Sequence, residues 1–391
     1  MIQRVLKPFM GNSFMLFGPR GVGKTTFLEH LLGNEKEIIW INLLLPEEED
    51  KYSIHPSELL AQINATAPPR LVVIDEIQKV PKLLDVVHHA IEKCQARIFM
   101  TGSSARKIKR GSSNLLAGRA FVYHLHPFTQ LELGGDFDLS QAMNWGTLPK
   151  VHAMPSAEER RLFLQSYAMT YLKEEVWYEH LIRKMEPFRK FVEVAAQCHG
   201  EPLNYSQIAR DVGVEYKTVQ CYYEILEDTL MGVLLEPYGE SLRKRQGKAP
   251  KFYFFDPGVK RAFEKMLTVE VVPNTYAFGK AFEHFLVTEF LRLNSYFQRD
   301  YDFSYLRTKD GAEIDLVIKR PGRPPVFLEF KSTEHIQEKQ ATNLNRFLDG
   351  APAEVEGYCL SRDPAAKKFR RVMCLPWQEG LRRIYEPGQP G

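Results

Sequence analysis

Residues 13–32 read SFMLFGPRGVGKTTFLEHLL, and their order decides what the first third of the chain must be. Phe14 to Phe17 is an unbroken apolar run that reads as a strand. It empties into a glycine-rich turn, and beyond Lys24 the residues Phe27, Leu28, Leu31 and Leu32 recur at helical spacing. Gly18 to Thr25 satisfy G-x-x-x-x-G-K-[ST] without deviation. A backbone curled in this way aims successive N–H groups at phosphate oxygens, helped by the positive end of the following helix. Gly18, Pro19, Arg20, Gly21, Val22, Gly23, Lys24, Thr25 and Thr26 are therefore the expected ATP-binding residues. Lys24 would counter the β and γ phosphates, and Thr25 would offer its hydroxyl to Mg2+.

A second element follows at residues 70–81, RLVVIDEIQKVP, an apolar strand ending in two carboxylates. Asp75 is expected to hold Mg2+, and Glu76 to polarise the attacking water. The strand in RIFMTGSS (97–104) ends in hydroxyls. Thr101 or Ser103, with Ser103 preferred, is the candidate contact to the γ-phosphate or the lytic water. Arg106, Arg110 and Arg119 come next, and one of them is a candidate arginine finger; contact with DNA or solvent is the alternative. His124 and His126 have strand spacing but no third ligand placed to join them, so they read as ordinary side chains.

GPRGVGKTT, VVIDEIQKVPKLLDVVHHAI, FMTGSSARK and LLAGRAFVYHLHPFTQLEL together resemble a large prokaryotic group of AAA-type ATPases that carry a further C-terminal domain. The resemblance runs along almost the whole chain. It implies ATP hydrolysis and a site completed by an arginine of a neighbouring subunit in a homo-oligomer, with Arg119 the first choice.

The totals set bounds. A chain of 391 residues can hold two or three cores, and 44% apolar with 26% charged residues is ordinary for a globular protein. No apolar run is long enough to span a membrane. The first twenty residues lack a secretory apolar region, so a cytoplasmic location is expected. Five scattered cysteines without a CxxC pair read as reduced thiols. The net charge of +3 says little, but ARKIKRGSSNLLAGR, SLRKRQGK and KKFRR are local basic clusters.

The middle of the chain is helical in pattern, with Pro187 expected to break one run and Gly200 to end the next. Residues 204–230, NYSQIARDVGVEYKTVQCYYEILEDTL, have helix-turn-helix spacing, with Ser206 as a candidate cap and Gly213 in the turn. Strands at 232–238 and 251–256 flank a basic segment, the layout of a winged helix. Lys217, Thr218 and Gln220 could meet DNA, with Arg243, Lys244, Arg245 and Lys248 on phosphates. The alternative is a protein-interaction module.

In the last third, a helix at AFGKAFEHFLVTEFLRL precedes three short strands, DFSYLRT, AEIDLVIKR and PVFLEFKS, and a polar helix. Glu329 and Lys331 alternate with apolar residues and share one face of a strand. An ion pair would explain them. The order helix, three strands, helix also resembles the PD-(D/E)xK fold of restriction enzymes and Holliday-junction resolvases. Carried over, that resemblance implies Asp315, Glu329 and Glu283 as metal ligands, Lys331 as the group assisting water, and Arg307 and Gln340 as supporting contacts. Mg2+ is the expected metal, with Mn2+ also acceptable. No proline precedes Asp315, a departure from the motif's name.

The expectation is an α/β protein in three parts. Residues 1–155 form a P-loop ATPase domain with a parallel central sheet, 156–270 a helical and winged-helix domain, and 271–391 a restriction-endonuclease-like domain. The expected function is an ATPase coupled to a Mg2+-dependent nuclease acting on DNA. An ATP-switched DNA-binding regulator, or a signalling ATPase with a non-catalytic C-terminal domain that binds a protein, is the alternative.

Overall fold

The computed structural model describes residues 2–33, 35, 37–66, 70–104, 118–177, 182, 184–239 and 249–385. The chain divides into two compact units. Met1–Glu132, Leu148–Lys150 and Ile225–Met231 make the first; Leu133–Thr147, Val151–Glu224 and Gly232–Gly391 make the second. Apart from Ile225–Met231, the segments expected as middle and C-terminal domains thus fall in one unit.

The first unit is built on five parallel strands: β1 (Ser13–Phe17), β2 (Ile38–Asn42), β3 (Leu71–Asp75), β4 (Arg97–Gly102) and β5 (Ala120–His124). Their order is β2-β3-β4-β1-β5, so β4 lies between the strand that feeds the glycine-rich turn and the strand that ends in Asp75. β1 and β3 are buried along their whole length, which is why they read as continuous apolar runs rather than alternating ones. Helix α1 (Lys24–Leu31) leaves β1 through the turn, and α2 (Leu83–Cys94) packs Leu83, Leu84, Val87 and Ala90 into the core. Two glycines are forced. A Cβ on Gly18 would lie 2.4 Å from the Leu125 carbonyl oxygen, and Gly23 caps α1 at φ 86°.

Leu139–Trp145 is a short helix of the second unit, and the longer helices α3 (Ala157–Thr170) and α4 (Met185–Gln197) follow it. Pro187 sits inside the first turn of α4 and starts that helix rather than breaking it, because a first-turn residue needs no intrahelical N–H bond. Next come α5 (Tyr205–Val212), α6 (Tyr216–Asp228) and the antiparallel strands β6 (Gly232–Leu235) and β7 (Lys251–Phe254). Asn204, not Ser206, caps α5, accepting from the Gln207 N–H at 3.0 Å. The basic segment with Arg243, Lys244, Arg245 and Lys248 lies outside the described residues, as do Arg106 and Arg110.

Helix α7 (Tyr276–Tyr296) leads into a six-stranded mixed sheet. β8 (Asp302–Arg307), β9 (Glu313–Arg320) and β10 (Arg323–Lys331) form an antiparallel meander. After α8 (Glu338–Asp349), strands β11 (Glu356–Ser361) and β13 (Val372–Pro376) extend it in parallel, and β12 (Lys367–Phe369) closes the edge. The two helices take opposite faces of β10. Phe330 stacks on Phe290 of α7, with centroids 6.1 Å apart, whereas Phe327 joins Leu344 and Leu348 of α8 in one apolar cluster. Glu329 and Lys331 share the Phe327 face. Among the described residues, no helix is long and apolar enough to cross a membrane.

Candidate functional site

The nucleotide-binding motif and the ends of β3 and β4 meet in a closed set of contacts. Lys24 is buried and donates to the Gly18 carbonyl at 3.0 Å, with Glu76 Oε1 3.3 Å away. Thr25 Oγ1 donates to Asp75 Oδ2 at 2.7 Å, and Thr101 donates to the other oxygen of Asp75. Thr101 also accepts the Glu76 N–H at 2.9 Å. Of the two hydroxyls considered on β4, Thr101 therefore braces Asp75, while Ser103 Oγ donates to Glu76 Oε2 at 3.1 Å. Burial pushes the Glu76 carboxyl up, but Lys24, Gln78 and Ser103 outweigh it and hold the group below its usual value. Thr25 and Asp75 would be the residues to hold a Mg2+ ion here, since both offer the hard oxygen atoms it prefers.

Beside the loop lies a cavity of about 470 Å3 whose walls include Ile2, Leu6, Phe27, Phe128 and Pro149, with Gly23 and Thr26 at the phosphate end. A largely apolar cleft continuous with a phosphate cradle suits a nucleoside. Arg4 braces it by donating to the Val22 and His126 carbonyls and pairing with Glu132 at 3.1 Å. Arg20 and Thr26 are exposed at the mouth, and Pro19 and Val22 are buried behind the loop. Arg119 is elsewhere. It precedes Ala120, which pairs with Ser13, so it stands at the end of the sheet away from the phosphate loop and bonds Glu92 at 2.6 Å. It cannot serve the site of its own chain.

The second site is assembled from four segments of the second unit. Leu328 pairs with Leu316 across β10 and β9, which puts Glu329 opposite Asp315 one step further. Lys331 Nζ lies 2.6 Å from Glu329 Oε1, and Asn343 of α8 donates to Glu329 Oε2 at 3.4 Å. The Phe330 N–H donates to Asp315 Oδ2 at 2.7 Å. Burial, then the Glu283 and Glu329 charges, push the Asp315 carboxyl up to about 7 despite Lys331 and Lys251.

Glu283 is held differently from Asp315 and Glu329. It accepts from the Tyr253 hydroxyl at 2.7 Å, and Lys251 and Lys280 approach it at 3.6 and 3.4 Å. With its oxygens engaged by these groups it is an ion-pair hub, while Asp315 and Glu329 remain the candidate carboxylates on the paired strands. Among the described residues, no three His, Cys, Asp or Glu side chains are grouped to hold a metal ion. Gln340 is also displaced from its expected role: its side chain closes the capping box of α8 by accepting the Gln337 N–H at 3.0 Å. Arg307 reaches Glu313 at 3.7 Å on the surface.

Four residues escaped the sequence reading. Lys251 is fully buried and bonds Glu313 as well as Glu283. Lys251 and Tyr253 lie two apart on β7, a charged and a phenolic group on one face of an aromatic strand. That alternation was the available signal. Gln78 and Asn343 carried no comparable mark.

Residues 11–134 match the family described as an AAA domain. The first unit contains an AAA-type ATPase domain. Residues 136–269 and 278–379 match two domains of unknown function, DUF8612 and DUF4143. An uncharacterized protein of Mycobacterium tuberculosis is 26% identical over 326 residues, covering 82% of this chain and 70% of that protein. An uncharacterized protein of Methanocaldococcus jannaschii is 24% identical over 353 residues, covering 78% of this chain and 72% of its own. Among solved structures, the Aeropyrum pernix ORC1 protein in complex with DNA aligns with a TM-score of 0.27 and 13% identity, covering 67% of this chain and 87% of that one. The Aeropyrum pernix ORC2 protein aligns with a TM-score of 0.23 and 10% identity, covering 66% of this chain and 89% of its own. Likenesses this slight carry no argument about function.

Proposed function

We propose that the AAA-type ATPase domain is coupled to a Mg2+-dependent, nuclease-like site in the second unit that acts on DNA. The observation that carries the second half is the placement of Asp315 and Glu329 side by side on paired strands, where burial first, and then the Glu283 and Glu329 charges, raise the Asp315 carboxyl to about 7. Carboxylates that repel one another in a partly buried site are relieved by a cation. The donor set fits: Mg2+ commonly takes one or two protein carboxylates and fills its shell with water and phosphate oxygens, so Asp315 and Glu329 suffice. When bound, the ion supplies a polarised phosphodiester oxygen and a more acidic water. The Phe330 N–H fixes Asp315, Asn343 steadies Glu329, and Lys331 offers its charge to the phosphate. Lys217 is exposed on α6, within a helix-turn-helix followed by a hairpin, and supports contact with DNA backbone. Arg119, remote from its own phosphate loop, is read as a finger for a neighbouring copy. Its replacement by alanine should then slow hydrolysis only in protein that oligomerises with ATP.

The test is a panel of single-stranded, duplex and branched DNA incubated with the full chain and Mg2+ or Mn2+, with and without ATP. Metal-dependent cleavage is expected from the wild type and not from Asp315→Asn or Glu329→Gln, while both variants still hydrolyse ATP. Absence of cleavage by the wild type on every substrate sinks the nuclease reading.

A second reading, in which the C-terminal region only binds, is favoured by the pairing of Lys251, Lys280 and Lys331 with these carboxylates. DNA affinity without cleavage would mark an ATP-switched regulator, and neither property a signalling ATPase with a protein partner.

A further inference from the structure

Glu76 is gripped unequally at its two oxygens. Oε1 faces the Lys24 ammonium at 3.3 Å. Oε2 accepts from Ser103 Oγ at 3.1 Å and from Gln78 Nε2, which also donates to Ser103 Oγ at 2.9 Å. Glu76 itself has φ 59° and ψ 50°, a left-handed backbone that turns its side chain back over the strand ends. Gln78 sits two residues on, in the short helical turn Ile77–Lys79, and is only 6% exposed. Room for it comes from Gly102, where a Cβ would stand 3.1 Å from Gln78 Oε1. That oxygen has no partner among the described residues, so the amide is present for its N–H groups.

The phosphates and Glu76 compete for Lys24. Once the ammonium turns to a γ-phosphate, Glu76 loses the Lys24 charge on Oε1, and a carboxylate held by nothing else would swing out to water. We propose that Gln78 is the positioning residue of the ATPase site. With Ser103 it clamps Oε2, so that Oε1 stays aimed at the place Lys24 has left, where a water on the γ-phosphate must be oriented. Gln78 Nε2 donates to Glu76 Oε2 and Ser103 Oγ, so it acts through Glu76. Ser103 alone offers one hydrogen from a rotating hydroxyl, whereas the planar amide of Gln78 fixes both groups at once.

This inference rests on Glu76 as the group that orients water, and the two can fail separately. Steady-state ATP hydrolysis and fluorescent-nucleotide affinity are measured on the full chain for Gln78→Met, Gln78→Asn, Ser103→Ala and the Gln78→Met/Ser103→Ala double variant. The methionine keeps the bulk and removes both donors; the asparagine keeps the amide but withdraws it by one methylene. Expected for Gln78→Met is a fall in kcat of about tenfold or more with KM within about twofold and an unchanged melting temperature, the pattern of a lost transition-state interaction. The asparagine should fall between, and the double variant should be less impaired than the product of the singles, because the two side chains form one clamp. Wild-type kcat in Gln78→Met overturns the proposal, as does a fall in kcat accompanied by equal changes in KM and melting temperature. If Gln78→Met does not fold, the asparagine and serine variants decide by the same criteria. Normal turnover by Glu76→Gln would instead remove the reading beneath it.

Discussion

Each unit sets a lysine against a glutamate, and the two pairs are built differently. Lys24 and Glu76 come from elements joined by a parallel sheet, and each has further partners waiting: Gly18 for the lysine, Gln78 and Ser103 for the glutamate. The pair can open without leaving a buried charge alone. Lys331 and Glu329 sit two residues apart on one strand, beside a second carboxylate that the first one repels. Behind them Lys251 holds Glu283 and Glu313 with no exposure of its own. The first pair can exchange partners among neutral donors already in place, whereas the second lies among carboxylates whose like charges need a cation to balance them.

The largest expected effect breaks the second cluster. Lys251→Met leaves Glu283 and Glu313 without their buried cation and should destabilise the second unit by about 3–5 kcal/mol. Urea unfolding followed by near-ultraviolet circular dichroism measures it, and a loss below about 1 kcal/mol would mean the cluster tolerates an unpaired charge. At the first site the loss is of binding instead. Lys24→Ala should weaken ATP affinity on the order of a hundredfold with little change in melting temperature, because a charged hydrogen bond to phosphate is lost. Equal affinity in calorimetry would contradict the phosphate role.

Acid should distinguish the units further. His284 is buried, its Nε2 2.7 Å from the Phe254 carbonyl oxygen, and burial pushes its pKa down to about 3. The unfolded chain takes up this proton near pH ~6.5 while the folded one stays neutral, so the unfolded state binds more protons between those values. Stability from this group is therefore full above that range and falls by up to about 1.4 kcal/mol per pH unit as the pH drops through it. His284→Gln should flatten that limb in thermal melts from pH 7 to 4; an unchanged slope would place the acid sensitivity elsewhere. The smaller of the two lysine effects belongs to Lys331, whose side chain is 35% exposed. Lys331→Ala should cost less than Lys251→Met, falling between the ~1 kcal/mol of an exposed pair and the ~3 kcal/mol of a buried one, because water reaches the ammonium although Glu329 is only 6% exposed. A loss as large as that of Lys251→Met would erase the contrast.

How much of this was legible follows from distance along the chain. Gly18 to Thr25 carry their geometry in one turn, and Asp75 and Glu76 mark the end of an apolar strand, so a linear reading reaches them. Asp315 and Glu329 were legible because each interrupts an apolar strand. Lys251 was not, because its partners Glu283 and Glu313 are more than thirty residues away in sequence and nothing local says which face of β7 is covered. Gln340 and Asn343 lie almost one turn apart on α8; composition cannot tell which faces the sheet. The cap took the first and Glu329 the second. Pro187 was misplaced for a similar reason, since a proline ends one helix or begins the next and only the neighbouring packing decides.

The central claim is that Glu76 orients water at an ATP site that Lys24 and Thr25 build. Its most direct test is Glu76→Gln in the full chain, with nucleotide affinity measured by calorimetry and phosphate release measured at saturating ATP and Mg2+. The account predicts affinity within about threefold of wild type and phosphate release reduced by about two orders of magnitude or more. Phosphate release at the wild-type rate would contradict it.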